Sequence, residues 1–227
     1  MKYVSIDIET TGLDTERYQI LSIGAIIEDA NKKLSFNEIP KFHVAILHPE
    51  VIGSLFALNM NYKLIDYISQ YQDTKDNKIK SAIEKKAGMK FLNEDQVAEA
   101  FFQFLFLNGI CSMSVDDLFQ SQKKKSFFSD VDVPVLTSKM TPTSINVAGK
   151  NFSSFDKKFL ERLPRWKQCI RIRQRVIDPA VLFVNWKEDE TVPGLGECKK
   201  RAGFVDLVSH NALEDAWDVV ELLRKSY

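Results

Sequence analysis

A chain of 227 residues that is 44% hydrophobic and 27% charged has the make-up of a globular protein, with room for one large domain or two small ones. Its 31 basic and 31 acidic side chains cancel, so global charge points to no polyanionic partner and any attraction for one has to come from local clusters. Three scattered cysteines, Cys111, Cys169 and Cys198, without a CxxC pair, argue against a disulfide framework and a thiolate metal site. Acids appear too early for a signal peptide, and no apolar run approaches the roughly 20 residues of a membrane span, so a cytoplasmic protein without a membrane partner is expected.

In chain order, Val4, Ile6 and Ile8 alternate with Tyr3, Ser5, Asp7 and Glu9, the period of a strand over 2–9. The β-branched run 20–28 predicts a buried strand, and 41–48 a third, spaced for an antiparallel meander. Residues 51–71 turn helical. A further helix follows Asn93, with Val97, Phe101, Phe104 and Leu105 on one face and Asn93 and Gln96 placed as a capping box. Residues 111–143 show no sustained period and read as an inserted loop or lid. A strand is expected over 144–150, a helix from about 153, a strand-like run over 175–183 and a last helix over about 212–225. Strands first, then strand–helix alternation, predict a single mixed α/β domain over 1–227.

Several acids stand where acids are not expected. Asp7 and Glu9 share one face of the first strand, roughly 7 Å apart, where they repel unless a cation lies between them. A strand end emerging into solvent is the other account of the pair. In "NFSSFDKKFLERL" (151–163) Asp156 falls inside the apolar stripe of Phe152, Phe159, Leu160 and Leu163, whereas a capping acid paired with Ser153 would have no reason to face the core. In "SHNALEDAWDVVELLRK" (209–225) Glu214, Asp218 and Glu221 make a solvated stripe, and Asp215 lies on the core side with Ala212, Val219 and Leu222. With Asn211 as N-cap, His210 and Asp215 occupy the N′ and N4 positions that pack together at a helix start. Histidine suits proton transfer near neutral pH. His43 and His48, on opposite faces of the third strand, read as structural.

These pieces in this order resemble the DEDDh exonucleases of the ribonuclease-H-like superfamily: "DIETTGL" (7–13), "NFSSFDKKFL" (151–160) and "HNALEDA" (210–216) match its three motifs. The resemblance covers about 1–50 and 144–225, and "ALNMN" (57–61) is similar to a substrate-side segment in some members. It implies a ribonuclease-H-like mixed five-stranded sheet, three antiparallel strands followed by parallel ones, flanked by helices. It also implies a 3′→5′ exonuclease that releases nucleoside 5′-monophosphates from single-stranded nucleic acid, with DNA favoured over RNA. Asp7, Glu9, Asp156 and Asp215 would then hold two Mg²⁺ or Mn²⁺ ions, and His210 would act as general base on the attacking water. Thr10, Thr11, Gly12 and Leu13 would cradle the terminal nucleotide, with Asn151 and Phe155 also on the substrate side. A polymerase or repair protein is the implied partner. The alternative is a catalytically silent nucleic-acid-binding or polymerase-docking module of the same fold, which would be expected to have lost at least one of the five residues.

A neutral protein needs a local route for phosphates. "RWKQCIRIRQR" (165–175) carries five basic residues in eleven with one Trp, the interleaving of a single-strand channel, and Lys199–Arg201 form a second cluster.

Overall fold

The structure, a computed structural model, describes residues 1–111, 122–135, 141–205 and 209–227. Three strands, β1 (Lys2–Thr10), β2 (Ile20–Asp29) and β3 (Lys41–Leu47), form the expected antiparallel meander. The helices α1 (Leu55–Met60), α2 (Tyr62–Asp73) and α3 (Asn77–Ala87) lead to β4 (Lys90–Asn93) and α4 (Glu94–Leu107). The α4 start has the predicted capping box, with the Asn93 N–H donating to Gln96 Oε1 at 2.9 Å. Beyond it lie β5 (Lys123–Lys125) and β6 (Asp132–Pro134), then β7 (Thr143–Ile145) and β8 (Val147–Ala148). They are followed by α5 (Asp156–Leu160), α6 (Trp166–Cys169), β9 (Ile170–Ile172), α7 (Leu195–Arg201) and α8 (Ala212–Arg224).

The main sheet is a mixed five-stranded one in the order β4-β3-β2-β1-β8, with β8 parallel to β1 and β4 parallel to β3. Its strands are buried on both faces, so β2 is apolar along nearly its whole length. Val4, Ile6 and Ile8 turn toward α4, where Phe42, Phe101 and Phe104 pack edge to face or tilted at 5.1–6.0 Å. Tyr3 and Ile26 turn the other way, onto Ala216, Val219, Val220 and Leu223 of α8. Ser5, Asp7 and Glu9 share that second face, and the Ser5 hydroxyl donates to the Ala216 carbonyl at 2.8 Å.

Three expectations change. The run 175–183 is not a strand: it makes one bridge, Ala148 to Ile177, and then a 3₁₀ turn at Pro179–Phe183 capped by Asp178. Proline at the first helical position cannot donate to a ladder but suits a helix start. The strand expected over 144–150 splits into β7 and β8, and the fifth strand of the main sheet is β4, whose four residues are too few to show a period. The second helix of the motif region begins at Asp156 itself, after turns over 151–155, so Ser153 is not its cap.

The expected insertion at about 111–143 lies partly outside the described residues, at 112–121 and 136–140. Between these, β5 and β6 form a hairpin that rests on α4, with the Phe127 N–H donating to Gln103 Oε1 at 3.0 Å and Lys124 paired with Glu99 at 2.8 Å. Among the described residues, no helix is long and apolar enough to cross a membrane.

Candidate active site

Asp7 and Glu9 come from the last residues of β1, where the register to β2 shifts between Glu9 and Thr10. Such an irregularity bends a strand end and re-aims its side chains. Asp215 comes from the first turn of α8, and one residue makes the approach of that helix to the sheet feasible. Gly24 sits opposite Asp7 in the ladder, and a Cβ there would lie 2.2 Å from the backbone of Ala212 and Leu213. The start of α8 is fixed by Asn211, whose Oδ1 accepts from the Leu213 and Glu214 N–H groups at 3.1 and 3.3 Å. Ser209 donates to Asp215 Oδ1 at 3.3 Å.

One carboxylate oxygen each from Asp7, Glu9 and Asp215 lies within 4.8 Å of the others. Asp156 is buried beside them, close enough for its charge to act on Asp7, yet it does not belong to that tightest group. The electrostatics are strongly repulsive. Burial first, and then the charges of Asp156, Asp215 and Glu9, hold the Asp7 carboxyl well above the usual carboxylate range. Burial and the Asp215 charge push Glu9 up to about 7, against a hydrogen bond from Asn61. Burial pushes Asp156 up to about 7, against backbone hydrogen bonds at its own residue and at Ile8. Burial and the neighbouring Asp218 charge push Asp215 up to about 6, while the Ser209 hydroxyl and His210 pull it back.

This donor set fits hard divalent cations: three carboxylates crowded at one spot accept oxygen-seeking ions that offset their mutual repulsion. His210 is exposed, lies in the left-handed region at φ 53°, and lines the cleft above the acids. Non-glycine residues in that region are uncommon and cluster at functional sites.

The cleft has a volume of about 600 Å³. Thr10, Gly12, Leu13 and Phe155 line it beside Asp7, Glu9, Asp215 and His210. Leu13 is 82% exposed. Thr10 is buried and donates to the Gly12 carbonyl at 2.9 Å, while the Gly12 Cα lies so close to the Tyr18 ring that a Cβ would come within 2.3 Å of it. Two of the expected substrate-side residues stand elsewhere. Thr11 is fully buried and supports the loop, accepting from Gln19 N–H at 3.0 Å through its hydroxyl and from Ser54 N–H at 2.8 Å through its carbonyl. Asn151 is outside the cleft, its N–H donating to Asp178 Oδ2 at 2.9 Å.

Other residues of the cleft wall were not legible in the sequence. Phe56, 78% exposed on α1, and Met60 line the same cleft as Leu13. Asn61 is buried next to Glu9 and donates to the Thr10 and Ala57 carbonyls at 3.3 and 3.2 Å. The likeness of segment 57–61 to a substrate-side stretch hinted at Met60 and Asn61, and nothing in the sequence marked Phe56. Asp218 is a correction: it is buried rather than solvated, because α7 covers that side of α8 and Lys199 pairs with it at 2.5 Å. The same contact removes Lys199 from the exposed basic cluster expected at 199–201. Trp166 is also core, 1% exposed, so 165–175 lacks the stacking platform expected of it. His43 and His48 are structural. His48 Nε2 is 2.7 Å from the Ile20 carbonyl, and burial lowers His43 to about 4.

No protein-family model matches the sequence, and no match was found among curated proteins. Among solved structures, the chain is similar to E. coli exonuclease I in complex with a dT13 oligonucleotide (TM-score 0.54, 13% identity, 99% of this chain and 40% of that one). It is likewise similar to the same enzyme with a 5cy-dT13 oligonucleotide (TM-score 0.52, 13% identity, 98% and 40%). The chain thus spans about 40% of the length of these neighbours. At this identity the likeness is one of fold, and the chain carries the ribonuclease-H-like α/β fold of exonuclease I.

Proposed function

We propose that the chain is a metal-dependent 3′→5′ exonuclease of the DEDDh type, acting as one domain over 1–227 on single-stranded nucleic acid. The observation that carries this reading is the convergence of Asp7, Glu9 and Asp215, from segments two hundred residues apart, on one spot at the floor of a cleft, with Asp156 alongside. Nothing in folding rewards such crowding of like charges; a site for cations does.

Two Mg²⁺ or Mn²⁺ ions held by these carboxylates would supply charge neutralisation and Lewis acidity at a scissile phosphate. The remaining work falls to the chain. His210, at the cleft mouth, would accept the proton of the attacking water. The Thr10–Leu13 turn would receive the terminal nucleotide, with Leu13, Phe56 and Phe155 as apolar surfaces for bases. The product would be a nucleoside 5′-monophosphate. Because the solved neighbours hold oligothymidylates, single-stranded DNA is the favoured substrate.

The test is digestion of 5′-labelled single-stranded DNA and RNA of one sequence with Mg²⁺. A ladder that shortens from the 3′ end, faster on DNA, is expected. Cleavage from the 5′ end or at internal sites overturns the reading. Binding without cleavage assigns the chain to the silent module.

A further inference from the structure

The exposed arginines of the basic segment 165–175 do not line the cleft that holds the acids. Arg171, Arg173 and Arg175 line a separate cleft of about 840 Å³ that shares no residue with the catalytic one. They stand along the parallel edge of the fold, where β9 pairs with β7, the Arg173 N–H donates to the Ile145 carbonyl at 3.0 Å, and the Ile177 N–H donates to the Val147 carbonyl at 2.9 Å. Arg171 lies in β9, and Arg173 and Arg175 follow the strand on either side of a bend at Gln174, so one cleft gathers three guanidiniums from a short stretch of chain.

All three arginines are exposed, and among the described residues none of their guanidiniums has an ion-pair or hydrogen-bond partner. One acid lines the cleft, Glu161, and it is occupied by Lys157 and Lys167, each at 3.8 Å. In a chain of zero formal net charge this group is a concentration of unneutralised positive charge in a concave surface.

We propose that this cleft is a second nucleic-acid site, which holds the phosphates of the substrate strand on the 5′ side of its end in the catalytic cleft. The proposal rests on the nuclease reading for what occupies the other cleft. Guanidinium forks match phosphate oxygens in pairs, and several gathered in one cleft suit a polyanionic strand. No aromatic side chain lines the cleft, and the one aromatic residue of the segment, Trp166, is buried in the core, so a protein partner would lack the aromatic anchor on which such interfaces centre. Contact through phosphates alone makes the site indifferent to base sequence. The Val4 N–H donates to the Asn146 carbonyl at 2.9 Å, so the cleft flanks the start of β1, while the acids stand at its end. From Val4 to Glu9 is five residues, roughly 16 Å. At about 3.4 Å per stacked nucleotide, a strand needs about five nucleotides or more to reach both clefts.

The test is fluorescence anisotropy of labelled oligothymidylates, about four and about thirty nucleotides long, against the full chain in EDTA, where nothing is cleaved. For the long strand, the triple variant Arg171→Ala, Arg173→Ala, Arg175→Ala should raise Kd at least tenfold and lower the slope of log K against log salt by about 2, from about 0.7 per phosphate contact. The Lys triple variant should recover most of the loss. For the four-nucleotide strand, wild type and Ala variant should agree within twofold. Equal binding of the long strand by wild type and Ala variant overturns the second site, as does an equal loss on both lengths. Since binding in EDTA needs no catalysis, an inactive wild-type chain would sink the exonuclease reading and leave this result standing.

Discussion

Gly24 lies directly across the β1–β2 ladder from Asp7, and its missing side chain is the space in which the first turn of α8 rests. The acid on the strand and the acid on the helix meet because a glycine sits between the two elements. Gly24→Ala would place a Cβ 2.2 Å from the Ala212 backbone, which no side-chain rearrangement relieves. Overpacking of this kind costs about 1–3 kcal/mol, and it would move Asp215 off the group it forms with Asp7 and Glu9. The expected outcome is a folded variant with a lower Tm and at least a hundredfold less hydrolysis, read by thermal denaturation and the digestion assay.

The raised carboxyls set the pH dependence of the metal-free chain. Glu9 and Asp156 at about 7 and Asp215 at about 6 all exceed the unfolded range near 4. Between these limits the folded state binds more protons than the unfolded one, so their contribution is complete below about pH 4 and is lost as pH rises through 6 and 7. In EDTA, Tm should therefore fall by several degrees on going from pH 5 to pH 8, since about 1 kcal/mol moves Tm by roughly 2–4 °C in a chain of this size. Mn²⁺ should raise Tm more at pH 8 than at pH 5. A flat profile would mean that neither burial nor mutual repulsion opposes these carboxylates in the folded chain.

Asn61 is where the carboxylate group meets α1 and α2. Its hydrogen bond holds the Glu9 carboxyl down, and its amide also ties the Thr10 carbonyl to the end of α1. Asn61→Ala should lift Glu9 further and move the acid limb of the rate profile to higher pH. A drop in rate uniform across pH would mean that Asn61 acts by packing alone.

Arg162, two residues past the second motif, ties that segment to the loop after the first. Its guanidinium donates to the Glu16 carbonyl at 3.2 Å and to the Tyr18 carbonyl at 3.4 Å, and Tyr18 backs Gly12 in the cleft. Arg162→Ala should raise KM for single-stranded DNA several-fold and leave kcat within about twofold, the signature of lost ground-state positioning. A fall in kcat with unchanged KM would contradict this role.

The acids were legible because each breaks a local rule. A carboxylate inside an apolar helical stripe, as with Asp156 and Asp215, or two on one strand face, as with Asp7 and Glu9, conflicts with burial, and such conflicts gather at functional sites. The meander and the last helix were legible because their periods run long. What escaped depends on which elements meet. Gly24 is an unremarkable strand glycine until α8 lies on it. Asp218 looks solvated until α7 brings Lys199 over it. The run 175–183 has strand composition, but Asp178 and Pro179 start a helical turn there instead. The arginines were visible as charge, whereas their gathering in a separate cleft follows from β9 pairing with β7.

The most direct test of the carboxylate site pairs two readouts on Asp7→Asn, a variant that keeps shape and removes charge. In EDTA it should be at least as stable as the wild type, because a carboxyl opposed by burial and by the neighbouring acids is gone. Mn²⁺ binding by calorimetry, together with hydrolysis of single-stranded DNA, then decides the matter. Wild type should bind Mn²⁺ and shorten the strand from its 3′ end, and Asp7→Asn should do neither beyond about 1% of the wild-type rate. A folded Asp7→Asn variant that still hydrolyses DNA at the wild-type rate would contradict the account.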